Sequence, residues 1–142
     1  MKIRQLSIFI ENKPGHLRAA CRLLADAEIN VESMALADTE QFGILRFVIK
    51  EWQKAKQVFE DAGFVVRESD LIAVSVTDRP GGLADVLDVL EQTQINIEYM
   101  YGYASRMQGQ AVLFLRFNGT DEAIELLKNN NVTILSSEEL FK

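Results

Sequence analysis

The chain has 142 residues, of which 48% are hydrophobic, and its formal net charge at pH 7 is -6. This length and apolar content suffice for the core of one ordinary domain or of two very small ones, and the acidic charge would repel a nucleic-acid backbone. No apolar run reaches the roughly 18 to 20 residues that span a bilayer, and the first residues lack a secretory signal, which predicts a cytoplasmic protein with neither a membrane nor a nucleic-acid partner.

The first half of the chain predicts alternating strands and helices. Runs rich in Ile, Leu, Phe and β-branched residues indicate strands, and apolar residues at helical spacing indicate helices. In chain order we predict a strand at 3–10, a helix from Pro14, strands at 30–38 and 42–49, a helix at 51–62 and a short strand at 64–68.

From residue 71 the same order begins again. We predict a strand at 71–77, a helix from Pro80, strands at 95–104 and 110–117, a helix at 120–130 and a strand at 132–136. Both prolines suit the first helical position, where the missing N–H does no harm. Apolar residues at i, i+4 and i+7 predict the core faces of the two leading helices, namely Leu17, Cys21 and Leu24, and Leu83, Leu87 and Leu90.

The two halves are copies of one unit. Eight residues recur at a spacing of 66 positions, namely Pro14, Gly15, Leu17, Leu24, Ile29, Asn30, Glu32 and Met34, which match Pro80, Gly81, Leu83, Leu90, Ile95, Asn96, Glu98 and Met100. Arg46 matches Arg116 at a spacing of 70, so the second copy has about four extra residues, which fall within Tyr103 to Gln110.

The element order predicts the fold class. The order β-α-β-β-α-β is that of the ferredoxin-like unit, an α+β arrangement in which two helices cover one face of an antiparallel sheet. We therefore predict two such units, at residues 1–69 and 70–142. A ferredoxin-like fold has many functions, so the function has to be inferred from a site.

The turns before the two leading helices point to a family. Asn12-Lys13-Pro14-Gly15-His16-Leu17 and Asp78-Arg79-Pro80-Gly81-Gly82-Leu83, each followed about a helix later by Ile-Asn-x-Glu, resemble the signature of the ACT family, and the likeness covers nearly the whole chain twice. Proteins of that family are small-molecule sensors. The resemblance implies two copies side by side, with one eight-stranded antiparallel sheet, four helices on one face and ligands at the seam.

The chemistry of these turns suits an amino acid. A helix N-terminus attracts a carboxylate, and Gly15 and Gly81 let a ligand approach the backbone. Asn12 offers a donor and an acceptor, whereas Asp78 can accept from an ammonium group. The predicted ligand-binding residues are Asn12, Pro14, Gly15, His16, Leu17, Asn30 and Val31 in the first copy, and Asp78, Pro80, Gly81, Gly82, Leu83, Asn96 and Ile97 in the second.

The resemblance also implies how the copies combine. The turn of one copy would face the Ile-Asn segment of the other, which gives sites at Asn12 with Asn96 and at Asp78 with Asn30. A Pro-Gly turn also serves simply to join a strand to a helix. His16 has Gly82 as its counterpart, so it is either a surface residue or a feature of one site. Tyr99, Tyr101 and Tyr103 alternate along one strand face, for packing, a subunit contact or a ligand wall.

The leading functional hypothesis is a sensor that binds a free L-amino acid between the two ACT-like domains and regulates a partner enzyme, with a homodimer as the expected assembly. The alternative is a docking subunit of an amino-acid biosynthetic enzyme, similar to the acetolactate synthase small subunit. One His, one Cys and no phosphate-binding loop predict that the chain is not an enzyme and has no metal or cofactor.

Overall fold

The computed structural model describes residues 1–91, 93–103 and 109–141. The strands are β1 (Ile3–Glu11), β2 (Ser33–Thr39), β3 (Phe42–Val48), β4 (Val66–Thr77), β5 (Ile97–Gly102), β6 (Gln110–Phe117) and β7 (Thr133–Leu135). The helices are α1 (His16–Asp26), α2 (Trp52–Asp61), α3 (Gly82–Leu90), α4 (Thr120–Asn129) and α5 (Ser137–Leu140). The predicted α+β fold with two ferredoxin-like units is confirmed. The end of the predicted strand 95–104 and most of the four-residue insertion lie outside the described residues.

Two details of the fold prediction are wrong. Within the described residues there are seven strands rather than eight, because the predicted strands at 64–68 and 71–77 form one continuous strand, β4. The same described residues form five helices rather than four, because Ser136 caps an additional short helix, α5. The Ser136 side chain accepts from the backbone N–H of Glu139, whose carboxylate accepts from the backbone N–H of Ser136. This reciprocal pairing satisfies two N–H groups that a helix end leaves open.

The chain divides into two compact units. The N-terminal unit comprises Arg4–Ser69, and the C-terminal unit comprises Asp70–Lys142 together with Met1–Ile3. The division falls inside β4. The assignment of residues 1–69 and 70–142 to two ACT-like domains, and their side-by-side placement, stay predictions.

In the N-terminal unit, antiparallel strands are ordered β2-β3-β1. Leu6, Ile8 and Ile10 alternate along β1, so they share one sheet face, and they belong to the same buried cluster as residues of α1 and α2. Both helices therefore cover this face. At the centre, the ring of Phe59 stacks on that of Phe47 at a centroid distance of 5.6 Å. Burying a ring of this size contributes about 1.5 to 3 kcal/mol.

The C-terminal unit has the strand order β7-β4-β6-β5, again antiparallel. Ile72, Val74 and Val76 of β4 face the same buried cluster as residues of α3 and α4. The rings of Tyr101 and Tyr103 contact Phe114 at centroid distances of 5.6 and 5.7 Å. These two tyrosines thus have a packing role within the unit.

The predicted core faces of the leading helices are only partly correct. Leu24 and Leu90 are buried as expected, but the buried residues that accompany them are Ala20 and Val86, four positions earlier. Cys21 is about 100° around the helix from Ala20 and is only half-buried. Leu17 lies in the first turn of α1, where it is exposed beside a cavity.

Candidate functional site

The turn that precedes each leading helix has the same backbone conformation in both units. Gly15 has φ 89° and ψ -15°, and Gly81 has φ 87° and ψ -9°. This left-handed region is adopted freely only by glycine. Gly15 and Gly81 are the N-caps of α1 and α3, so Pro14 and Pro80 lie before the N-cap. The prediction that the prolines occupy the first helical position is therefore wrong. The left-handed conformation of Gly15 and Gly81 therefore sets the residue at which each helix begins.

Backbone hydrogen bonds hold the two turns in the same way. Asn12 donates its backbone N–H to the Gln41 carbonyl at 3.0 Å, and Asp78, its repeat counterpart, donates to the Gly109 carbonyl at 3.0 Å. In each turn the next residue donates back to the last residue of the strand, at 2.9 Å. The loop between the following two strands therefore supports each turn.

The helix N-termini differ in charge. No side chain forms a capping hydrogen bond at the N-terminus of α1 or of α3. The first N–H groups of a helix have no partner within the helix. α1 has no acidic residue in its first turn, whereas α3 has Asp85 there. A carboxylate is favoured at a helix N-terminus. The N-terminus of α1 is thus open to an external anion, while that of α3 has an acidic group of its own.

A cavity of about 380 Å³, here called the first-turn cavity, lies beside the turn of the N-terminal unit. It brings together Asn12, Pro14, Gly15 and Leu17, all of them predicted site residues. The structure adds Leu36, Asp38 and Gly43 from the β2–β3 hairpin. Cross-strand pairing places them there, because Gly43 pairs with both Ile10 and Asp38. No local signal in the sequence connects the hairpin to the turn.

The polar groups of this cavity are arranged around the turn. The Asn12 side chain donates to the Glu40 carbonyl at 3.0 Å, so it ties the turn to the hairpin. Lys13 Nζ lies 2.9 Å from Glu11 Oε2. The hydrogen bond from Lys13 and its positive charge lower the pKa of Glu11 below the ordinary value of 4.5. The cavity therefore has the Lys13–Glu11 ion pair, a helix N-terminus and, in Asp38, a further exposed carboxylate.

Apolar side chains border the same cavity. Leu17 and Leu36 are 37% and 50% exposed, which is high for residues of this type. Leu36 pairs with Leu45 across β2 and β3, and therefore lies on the helix-covered face of the sheet. Together these two residues, here called the apolar rim, give the cavity opening a water-exposed apolar wall.

The remaining predicted residues of the N-terminal unit lie elsewhere. His16 borders a different cavity, of about 360 Å³, together with Phe9 and Phe64. Asn30 donates from its side chain to Glu32 Oε1 at 3.4 Å, and Val31 packs against the core. Both precede β2, whereas Asn12 contacts the loop after it, so about 20 Å of strand separates them. The structure does not bring Asn30 and Asn12 of the same unit together.

In the C-terminal unit, Asp78, Pro80 and Gly81 are exposed in the turn and Leu83 is half-buried. Gly82 is buried, and its backbone lies close to the carbonyl of Thr77. The backbone of Asn96 pairs with Asn118: its N–H donates to Asn118 Oδ1 at 3.0 Å, and its carbonyl accepts the N–H of Asn118 at 3.1 Å.

Ile97, the last predicted residue of that unit, packs against the C-terminal core. The pairings of Asn12 with Asn96 and of Asp78 with Asn30 stay predictions.

The repeated turn, the ferredoxin-like order of both units and the first-turn cavity point to one family, and the family model described as an ACT domain pair matches residues 1–142. The chain belongs to the ACT domain pair family. Among proteins of curated function, none matches this chain in sequence.

Several solved structures are similar in fold to this ACT pair. Protein BT0572 from Bacteroides thetaiotaomicron is similar, with a TM-score of 0.92 and 37% identity over 100% of this chain and 97% of that chain. The ligand-free regulatory subunit of aspartate kinase from Thermus thermophilus has a TM-score of 0.66 and 17% identity, over 91% of this chain and 93% of that one. E. coli aspartokinase III in complex with lysine and aspartate has a TM-score of 0.52 and 19% identity, over 91% of this chain and 31% of that chain.

Within the described ranges of the ACT pair, no group of three or more His, Cys, Asp and Glu residues is placed to hold a metal ion. None of the described helices is long and apolar enough to cross a membrane.

Proposed function

We propose that this ACT pair is a non-catalytic sensor that binds a free L-amino acid in the first-turn cavity and regulates a partner enzyme of amino-acid metabolism. The observation that supports it most is the combination of groups in one cavity. An α-amino acid has an anionic end, a cationic end and a side chain, and the cavity offers a partner to each.

The ligand carboxylate would lie against the N-terminus of α1, next to Gly15, where no Cβ obstructs its approach. Lys13, whose ammonium group is paired with Glu11, also lines the cavity. The ligand ammonium group would pair with Asp38, and an apolar side chain would contact Leu17 and Leu36. The polar groups thus fix the orientation, whereas the apolar rim selects the side chain.

The neighbours in fold support the regulatory part of the proposal. One is a regulatory subunit of aspartate kinase, and another is an aspartokinase crystallised with two amino acids. Their identity to this chain is low, so we carry over only the class of function. A ligand can shift a partner's activity by no more than its differential affinity for the two states of the complex.

We further propose that the binding sites are completed by the segments around Asn30 and Asn96, and that two chains form a dimer. In this arrangement Asn96 would approach the turn with Asn12, and Asn30 the turn with Asp78. All four residues are exposed, so a ligand can reach them.

The second candidate function is docking to an enzyme, with little ligand binding. The exposed apolar rim of Leu17 and Leu36 favours it, because apolar side chains grouped at a surface mark contact sites. In that case Leu36→Glu would abolish co-purification of a partner enzyme, whereas amino acids would not affect the protein.

A thermal-shift screen of the purified protein against the twenty L-amino acids tests the sensor function, because a ligand of the native state raises the Tm. Asp38→Asn should remove the shift. Asp26→Asn is the matched control, since Asp26 is another exposed aspartate, at the end of α1, and does not line the first-turn cavity. A shift that is equal in both variants, or no shift with any amino acid, would contradict the proposal.

A further inference from the structure

The exposed side of α1 carries positive charge. Ala20 and Leu24 mark the buried side of this helix. At about 100° per residue, the positions farthest from that side are Arg18, Arg22 and Ala25, and all three are exposed. These three residues are here called the α1 outer face.

The exposed side of α3 carries negative charge. Val86 and Leu90 are buried, and on the opposite side of the helix lie the exposed residues Ala84, Asp88 and Glu91. Glu91 is the C-cap, and its φ of -57° and ψ of -39° continue the helical path. These three residues, here called the α3 outer face, match the α1 outer face position by position at the repeat spacing of 66. The two copies therefore carry opposite charge at the same place in the fold.

Neither outer face suits the helix that carries it. Arg18 and Arg22 are four residues apart, and like charges at this spacing destabilise a helix. Asp88 and Glu91, three residues apart, repel each other in the same way. A cation is also unfavourable in a first turn, where Arg18 lies, and an anion is unfavourable in a last turn, where Asp88 and Glu91 lie. Arg18 does not line the first-turn cavity, so an anion bound there does not explain its position.

The two outer faces match each other when the helices run antiparallel. Each position then faces its complement, an arginine opposite an acid twice and an alanine opposite an alanine, namely Arg18 with Glu91, Arg22 with Asp88, and Ala25 with Ala84. Two facing alanines let the helix axes approach to the lower part of the usual range of about 8 to 10 Å. A parallel orientation forms both charge pairs only when one helix is shifted by about a turn, which separates the alanines.

We propose that α1 of one copy of this chain docks antiparallel against α3 of a second copy, and that the reciprocal contact closes a two-fold dimer. This contact rests on the dimer proposed above and assigns its surface to the two outer faces. A second copy fits because it presents both faces in equal number, so each charge of one chain meets its opposite on the other. Opposite charges across an interface also exclude wrong orientations, in which like charges meet.

Sedimentation equilibrium of the full chain, whose mass is 16.0 kDa, tests this contact. Arg18→Glu combined with Arg22→Glu makes both outer faces acidic. Asp88→Arg combined with Glu91→Arg makes both outer faces basic. We expect each double variant to raise the dissociation constant of the dimer by about tenfold or more. An equimolar mixture of the two variants should form dimers again, because each outer face of one variant then meets its opposite on the other.

Glu60→Arg combined with Glu125→Arg is the matched control. It changes the net charge by the same amount as Asp88→Arg with Glu91→Arg, but at exposed positions of α2 and α4. This variant should dimerise like the unmodified chain. A chain with all four substitutions at the outer faces keeps the net charge of -6 and should also dimerise.

The outcomes separate this contact from the proposals on which it rests. Dimers that are equally stable in both double variants and in the unmodified chain overturn the helix contact and leave a dimer through another surface. A mixture of the two variants that stays monomeric also overturns it, even if each variant alone is monomeric. An unmodified chain that stays monomeric at high micromolar concentration overturns both the contact and the dimer, while the amino-acid screen still tests the sensor function. All substituted positions are exposed, so the variants should fold.

Discussion

Gly82→Ala is expected to destabilise the fold because of one backbone contact. An added Cβ at Gly82 would lie 2.0 Å from the carbonyl oxygen and 3.1 Å from the carbonyl carbon of Thr77. A carbon and an oxygen atom in non-bonded contact approach each other to about 3.3 Å, so the start of α3 has to move away from the end of β4 by about 1 Å. Overpacking of this kind costs about 1 to 3 kcal/mol, while the stiffer unfolded chain returns about 0.4 to 1 kcal/mol. We expect a net loss of about 1 to 2 kcal/mol in the free energy of unfolding.

Urea unfolding followed by circular dichroism measures this loss, and the Tm should fall by about 2 to 8 °C for a chain of this size. Gly102→Ala is the matched control, because a Cβ there meets no atom within 4 Å and φ of Gly102 is outside the left-handed range. If Gly82→Ala is as stable as Gly102→Ala, the close approach of α3 to Thr77 is wrong.

Three further predictions concern other parts of the fold. Phe59→Ala should lower the free energy of unfolding by about 3 to 5 kcal/mol in a urea titration, because it empties a fully buried ring position; a loss under 1 kcal/mol would contradict the packing. Ser136→Ala should cost about 1 kcal/mol and increase amide exchange at Glu139, since it removes the N-cap of α5; unchanged exchange would argue against the cap. Lys13→Met should raise the pKa of Glu11 toward 4.5, which NMR titration of the carboxyl measures. Since the pKa of Glu11 is lowered in the folded state, its pairing with Lys13 stabilises the fold above pH 4.5, and this stabilisation is lost as the pH falls through the folded pKa. A Glu11 pKa that is the same in the unmodified chain and in Lys13→Met would refute the pairing.

Most of the secondary structure was predictable because its signals are local. The strand β6 has the predicted bounds, 110–117, since its apolar residues are flanked by turn residues. The polar stretch Arg67 to Asp70 suggested a break between strands, but the backbone stays extended through it. A polar sequence disfavours burial without bending the chain, so composition did not reveal the continuous β4. Helix α5 was missed although its signal, Ser136 followed three residues later by Glu139, is present in the sequence.

About half of the residues of the candidate site were predictable from the sequence. The repeated Pro-Gly turn identified Asn12, Gly15 and Leu17, which the first-turn cavity does contain. Leu36 and Asp38 were not predicted as site residues, because a leucine and an aspartate in a strand are common and do not by themselves indicate a site. Only the pairing of β2 with β3, which places Asp38 opposite Gly43 and Leu36 opposite Leu45, brings them to the turn.

The sequence by itself determined the duplication, the element order and the chemical character of the turn, because hydrophobic period and repeated residues at constant spacing are properties of the chain alone. Only the tertiary structure decided which residues share a cavity. Asp38 and Gly15 line one cavity because sheet pairing brings β2 and the end of β1 together through β3. Such proximity follows from packing in three dimensions, which no local pattern encodes.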